Sequence, residues 1–294
     1  VKRHRVAAER VFLLAPALAL LAVTVALPLG RVAALAFTRT ELSGRILLRW
    51  NAFGAFARLW QDSRWWSALS NTLVFTISSV ALELVLGVTF ALFLDREFRG
   101  RGAVRAIVLV PWALPTAVMA LAWAWIFNDS FGIANDLLQR AGLIASPVAW
   151  LGDPPTAMAA MILADVWKTT PFVAVIVLAG LQGIPGDVLE AARVDGLGAA
   201  ARLRRVVLPL ALPAMAVAAA FRALQAYGTF DLAYAMTGGG PGGATETISL
   251  YAFRCDFRYL DFGYGSAIAV QGALLALAVA AAAATVARRV REGP

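Results

Sequence analysis

Ile184-Pro185-Gly186-Asp187-Val188-Leu189-Glu190-Ala191-Ala192-Arg193-Val194-Asp195-Gly196 lies between two apolar runs, each long enough to cross a bilayer. Pro185-Gly186 ends the helix before it. Asp187 is placed to N-cap a new helix, and Glu190, three residues on, completes a capping-box pattern. Gly196 supplies a left-handed stop. The enclosed helix, about 187–196, is only about two turns long, and isolated helices below about 12–15 residues are marginal in water. Its apolar side, Val188, Leu189, Ala192 and Val194, has no lipid to face. A helix of this kind needs a docking surface.

Outward from this segment the chain turns apolar. Hydrophobic residues make up 61% of 294 positions and charged residues 15%, against about 25% charged in an ordinary soluble domain. A protein core cannot bury that much apolar surface, so lipid must cover the rest. A hydrocarbon core of about 30 Å needs about 20 apolar residues in a helix. Six runs qualify, at roughly 11–37, 67–94, 104–127, 157–181, 209–236 and 264–286. The fold class is all-α, a polytopic membrane protein of six spans, with both ends on one side.

Lys and Arg fix the orientation. With the N-terminus inside, the inner segments carry fifteen basic residues: Lys2, Arg3, Arg5, Arg10; Arg96, Arg99, Arg101, Arg105; Arg193, Arg202, Arg204, Arg205; Arg288, Arg289 and Arg291. The outer loops carry eight, of which five, Arg39, Arg45, Arg49, Arg58 and Arg64, crowd into the first. The bias puts both termini in the cytoplasm, and the first outer loop runs against it. That loop is long for a hairpin and has the length for a small cap. Trp60, Trp65, Trp66 and Trp150 fit an interfacial aromatic belt. The net charge of +8 is therefore that of membrane-flanking segments, not of a nucleic-acid surface. The first run is too long, and lacks the small-residue cleavage site, for a removable signal peptide.

Several chemistries are excluded. One Cys (Cys255) and one His (His4) build neither a disulfide framework nor a zinc site within the chain. Gly238, Gly240 and Gly243 satisfy G-x-G-x-x-G in form only, since a membrane helix rather than a strand precedes them. No G-x-x-x-x-G-K-[ST] occurs, so the chain has no P-loop of its own. Pro111-Trp112-Ala113-Leu114-Pro115 and Pro209-Leu210-Ala211-Leu212-Pro213 open two spans in the same direction, and paired prolines bend a helix there.

Ionisable residues within spans cost about 2.5–3.5 kcal/mol each on insertion scales and face a bundle interior or an aqueous path. There are six: Arg31, Glu83, Asp165, Lys168, Arg222 and Asp231. Asp165 and Lys168 share a helical face, continued by Thr169 and Phe172. Arg222, Gln225 and Thr229 share another, flanked by Tyr227 and Asp231. Such stripes offer hydroxyl partners and aromatic faces of the kind a sugar needs. The same residues also suit a structural role, with Asp165–Lys168 and Arg222–Asp231 as helix-joining ion pairs. Glu83 and Arg31 read as structural.

Glu190-Ala191-Ala192, then Asp195-Gly196, then Leu208-Pro209 and Pro213, resemble the EAA signature of ABC importer permeases. Leu197 stands where that family more often has Ala. Asn71-Thr72, Pro111-Trp112, Pro115, Ala179-Gly180-Leu181-Gln182 and Thr237-Gly238-Gly239-Gly240-Pro241 extend the likeness over residues 50–290. The last block is similar to the larger permease subunit of maltose importers. Trp167 to Phe172 and Phe230-Asp231 look most like trehalose-importing permeases of actinobacteria. The resemblance implies the type I permease fold, one permease domain over 1–294 with its core at 67–290, and a place in the bacterial cytoplasmic (inner) membrane. It implies a subunit that is not an enzyme and has no cofactor, ATP and Mg²⁺ being bound by a partner ATPase. The implied partners are a second permease subunit, a dimeric ABC ATPase, an extracytoplasmic substrate-binding protein, a sugar and membrane lipid, with no nucleic acid. Glu190, Ala191, Ala192, Asp195 and Gly196 would contact the ATPase. Asp165, Lys168, Thr169, Phe172, Arg222 and Thr229 match sugar-contact positions, with Tyr227 and Asp231 beside them, whereas Ala226 stands at a contact position and offers no hydrogen bond. Glycerol 3-phosphate or a polyol is the alternative cargo. An ion-driven secondary carrier is the remote alternative mechanism.

Overall fold

The computed structural model describes residues 14–42 and 46–292. His4, the basic residues of the N-terminal tail, the start of the first apolar run and Arg45 lie outside them. Among the described residues, five helices are long and apolar enough to cross a membrane, and six segments are if one bent helix pair counts as a single span. The chain divides into two compact units, residues 1–63 with 251–273, and residues 64–250 with 274–294.

In the first unit, α1 (Leu14–Leu35) is exposed along its length, as a helix bathed in lipid can be. It leads into an antiparallel hairpin, β1 (Thr38–Leu42) and β2 (Ile46–Trp50), paired Thr38 to Trp50 through Leu42 to Ile46. The long first loop thus carries a small β ribbon on an otherwise helical fold. A short helix, α2 (Gly54–Gln61), follows. Phe37 stacks on Trp50 at 5.9 Å and meets Phe53 edge-on at 5.5 Å. Asp62 accepts hydrogen bonds from the hydroxyls of Tyr251, at 2.5 Å, and Tyr264. Gly263 N–H donates to Thr40 Oγ1 at 3.1 Å, an approach that places β1 where a side chain at Gly263 would strike the Thr38 carbonyl.

Pairing accounts for most of the surplus arginines in that loop. Arg49 bonds Glu41 at 3.1 Å and Arg58 bonds Asp261 at 2.7 Å. In the second unit Arg64 grips Glu246 with two bonds, at 2.7 and 2.8 Å.

The second unit is built on α3 (Ser63–Asp95), α4 (Arg101–Ala113), α5 (Thr116–Ile126), α6 (Ile133–Arg140), α7 (Pro154–Gln182), α8 (Gly186–Val194), α9 (Ala199–Tyr227) and α10 (Asp231–Met236). α11 (Ile248–Phe257) and α12 (Phe262–Glu292) complete the chain. Ala91, Leu94, Val173, Val177, Leu178, Leu181, Ala211 and Ala218 form a buried core joining α3, α7 and α9. The small residues matter here: lipid tails are as apolar as Leu, so helices associate through close packing.

One expectation, a bend at the paired prolines of the third span, is met, and three others are corrected. The third span is two helices bent by 90°. Pro115 forces Leu114 out of the helical region to ψ 139°, as a residue before proline must be. Pro209-to-Pro213, the matching pentapeptide, lies in a continuous helix, with a π-helical turn (Leu203–Val207) just before Pro209. The fifth span ends at Tyr227 rather than near 236, because Gly228 to Phe230 break the helix before α10.

The last correction concerns α8. It starts one residue before Asp187, with Pro185 as the extended N-cap and no side-chain cap. Asp187 lies in the first turn, where its charge complements the helix dipole. The C-terminal stop is as read: Gly196 has φ +80°, Leu197 N–H bonds Ala192 O at 3.1 Å, and Gly196 N–H bonds Arg193 O at 3.0 Å. These two bonds make a Schellman motif.

A Cβ on Gly87 would lie 2.6 Å from Val173 Cγ1. Gly87→Leu is therefore expected to force α3 from α7 and cost about 1–3 kcal/mol, read as a lower melting temperature of the purified protein. Gly102→Ala, with open space around it, should melt with the parent. Equal melting of both variants would refute the close approach.

Candidate functional site

α3, α7 and α9 meet around one guanidinium. Arg222, 3% exposed, donates from Nε to Glu83 Oε2 at 2.5 Å and from Nη2 to Glu83 Oε1 at 2.8 Å. The second Nη2 hydrogen goes to Asp165 Oδ2 at 2.8 Å, and Nη1 reaches Gln225 Oε1 at 3.0 Å. Thr169 Oγ1 lies 2.7 Å from Glu83 Oε1 and 2.6 Å from the Asp165 carbonyl oxygen. Four of the guanidinium's five N–H donors are thus committed. A bidentate guanidinium–carboxylate fork of this kind suits a buried site, because burying a charge is tolerable only when it is compensated and hydrogen-bonded.

The network forms one wall of a cavity of about 390 Å³, lined by Trp112, Thr116, Asp165, Lys168, Thr169, Arg222, Gln225, Gly228, Thr229, Phe230 and Asp231. Its parts come from five places in the chain. α7 supplies Asp165, Lys168 and Thr169; α9 supplies Arg222 and Gln225. The break after Tyr227 turns Thr229 and Phe230 toward the cavity ahead of Asp231 at the start of α10. The 90° bend between α4 and α5 brings Trp112 and Thr116 to it from either side of Pro115. Lys168 Nζ points to the Trp112 carbonyl oxygen at 3.5 Å.

Six of the sequence-derived residues therefore converge: Asp165, Lys168, Thr169, Arg222, Thr229 and Asp231. Two do not line the cavity. Phe172 stacks behind it, 5.7 Å from Trp112 and 5.3 Å from Phe221. Tyr227 is buried. The two ion pairs suggested by spacing give way to one network, in which the carboxylate partners of Arg222 are Glu83 and Asp165. Glu83 belongs to it, fully buried, while Arg31 is exposed on α1. Trp112, Thr116 and Phe230 were missed as lining residues. The proline pentapeptide around Trp112 was the available signal, and it pointed to a bend without saying which side chains the bend delivers.

α8 stands apart from the cavity, between α7 and α9 in the chain. Glu190, Ala191, Asp195 and Gly196 are exposed on it and Ala192 is buried. Of its apolar residues Val194 is 88% exposed and Val188 39%, so part of that side is open.

The family of binding-protein-dependent transport system inner membrane components matches residues 83–292. The trehalose/maltose transport system permease protein MalF of Thermococcus litoralis is 45% identical over 222 residues, covering 76% of this chain and 74% of that protein. The sulfoquinovosyl glycerol transport system permease protein SmoG of Agrobacterium fabrum is 38% identical over 271 residues, covering 92% and 87%. Among solved structures, a bacterial ABC transporter involved in the import of the acidic polysaccharide alginate covers 98% of this chain and 99% of its own, with a TM-score of 0.83 and 23% identity. At that identity the likeness is one of fold.

Glu83→Ala is expected to leave Arg222 with a single carboxylate and to destabilise the chain by about 3–5 kcal/mol. Gln225→Ala removes one neutral acceptor and should cost about 1 kcal/mol. Thermal unfolding of the two purified variants makes the comparison, and equal losses would show that the buried network does not hold the helices.

Proposed function

The chain belongs to the family of binding-protein-dependent transport system inner membrane components, and from that premise we propose that it forms half of the translocation pathway of an ATP-driven sugar importer. It is a permease subunit and not an enzyme. In this reading the chain works as one permease domain in the bacterial cytoplasmic membrane, both termini inside. It pairs with a second permease subunit over a dimeric ATPase, which holds the ATP and Mg²⁺. An extracytoplasmic binding protein delivers the sugar.

The observation that carries the sugar reading is the neutralised guanidinium. Arg222 is matched by two carboxylates, and one N–H is left over. With Lys168 and Asp231 added, the cavity and its support hold two cations and three carboxylates. That balance disfavours an anion. It suits a neutral polyhydroxylated solute, which takes single hydrogen bonds from Lys168, Thr169, Gln225 and Thr229 and rests an apolar face on Trp112 or Phe230. Glycerol 3-phosphate, the second reading, needs a guanidinium free to fork onto phosphate, and Arg222 is already forked onto Glu83. Trehalose and maltose, named for the Thermococcus relative, are the first cargoes to test.

Coupling rests on α8. Short connectors tie it to α7 and α9, the two helices that wall the cavity. Glu190, Ala191, Ala192, Asp195 and Gly196 are its proposed contact set, with Ala192 as the buried seat of the helix. Closure of the ATPase dimer would displace α8 as a rigid body and open the cavity to each side in turn.

Lys168→Ala should lower sugar uptake by the reconstituted complex about tenfold, the loss of one charge-assisted hydrogen bond of about 1.5 kcal/mol. Thr229→Ala should lower it less, and both variants should still copurify with the ATPase. Unchanged uptake in both would remove the cavity from the sugar path. Glu190→Lys and Gly196→Leu should insert normally yet lose sugar-stimulated ATP hydrolysis and uptake together; full retention of both activities would refute the coupling role of α8.

A further inference from the structure

The arginine-rich loop after the first span is left without a task by the transport reading, and its geometry supplies one. In the β1–β2 register, Ile46, Leu48 and Trp50 of β2 fall on one face, with Thr38 and Thr40 of β1 beside them, while Arg39, Glu41, Leu47 and Arg49 fall on the other. The apolar face is open on its β2 side: Ile46 is 47% exposed, Leu48 49% and Trp50 75%, and Phe53, just beyond, is 70% exposed.

The ribbon is also placed by the chain. α1 ends at Leu35 and β1 begins at Thr38, so the hairpin starts where a spanning helix leaves the hydrocarbon, at the level of the head groups. The stacked Phe37 and Trp50 stand at that boundary. An amphipathic element continuous with a membrane span, with Trp and Phe on its open face, has the composition of a segment lying in the interface plane.

The charges complete the case. Arg39 is directly opposite Arg49 in the register, an arrangement that is destabilising unless an anion answers it. Glu41 takes up Arg49, and among the described residues Arg39 has no recorded carboxylate partner. Beside it opens a second cavity of about 390 Å³, whose lining includes Arg39, Arg58, Asn51, Thr40 and Asp261. Its two arginines outweigh Asp261, so the cavity carries an excess of positive charge, with amide and hydroxyl groups around it.

We propose that the β1–β2 ribbon is a lipid-binding platform, its apolar face in the acyl-chain boundary and the adjoining arginine-lined cavity holding the phosphate of an anionic phospholipid. This also gives a physical reason for arginines on the side of the membrane that ordinarily has few.

The test uses the full chain in its assembled complex, in vesicles of phosphatidylcholine and phosphatidylglycerol. In a Cys255→Ser background, spin labels are placed at Leu48→Cys on the apolar face and Leu47→Cys on the charged face. The Leu48 label should be more accessible to oxygen than to a water-soluble nickel chelate, and the Leu47 label the reverse. A nickel-accessible Leu48 label, or one shielded from both reagents, would overturn the platform. Native mass spectrometry supplies the second arm. Arg39→Gln should retain about fivefold less phosphatidylglycerol than the parent, the worth of one arginine near an anionic surface, with phosphatidylcholine unchanged. Equal retention would overturn the head-group site, and displacement of the lipid by inorganic phosphate would assign the cavity to free phosphate instead.

Discussion

A positive charge buried among membrane-spanning helices must be cancelled where it stands, and the Arg222 guanidinium is cancelled by residues of two other helices. Glu83 comes from α3 and Asp165 from α7, so the requirement of one side chain fixes three elements at once. The fixing matters more in lipid than in water. Apolar helices have no hydrophobic reason to prefer each other over acyl chains, and the contacts of Gly87 and Gly180 give close packing without a unique rotation. The bidentate fork adds the rotation. Thr169 and Gln225, bonded into the same network, are thereby held at the cavity wall.

The arrangement has a cost that shapes what the cavity can do. Arg222 is answered by two carboxylates, more than its single charge needs, and most of its directional donors are taken up, so its charge is spent before any solute arrives. For the proposed sugar, what remains for recognition is Lys168, a few hydroxyl and amide groups, and two aromatic faces. A set of this kind discriminates by shape and hydrogen-bond pattern more than by charge. The residues therefore differ in depth: Glu83 behind the wall, Arg222 and Asp165 within it, and Lys168, Thr229 and Asp231 on the open side.

The sequence disclosed what depends on composition and local spacing. Span count came from apolar length, and the α8 stop came from Gly196, whose left-handed backbone is a local property. Convergence of Asp165, Lys168, Thr169 and Arg222 could be read from the rule that charges in spans face inward. Partner choice could not. Asp165–Lys168 is the natural pair by helical spacing, but the carboxylate that forks onto Arg222 belongs to Glu83, 139 positions away, and sequence separation hides it. The two matching proline pentapeptides show the same limit, one preceding a right-angle bend and the other continuing as helix. Proline removes a donor and restricts its predecessor; whether the chain then turns depends on what packs alongside. The hairpin was hidden for a different reason, because Ile46-Leu47-Leu48 is too short an apolar run for periodicity to decide between strand and helix.

The position of α8 follows from the same constraint. α7 and α9 leave the buried network in one direction and are joined at that end by the short helix and its two connectors. Because the network holds both helices, a displacement of α8 cannot be absorbed by sliding one past the other without separating Arg222 from Asp165. The Schellman stop at Gly196 caps the end of α8 against fraying, which suits the proposed coupling role. Moving the cavity walls apart therefore means either carrying the ion network intact with them or exchanging its partners. For the proposed transport cycle, the first keeps a compensated charge throughout and the second exposes a carboxylate midway, so the committed donors of Arg222 argue for the first.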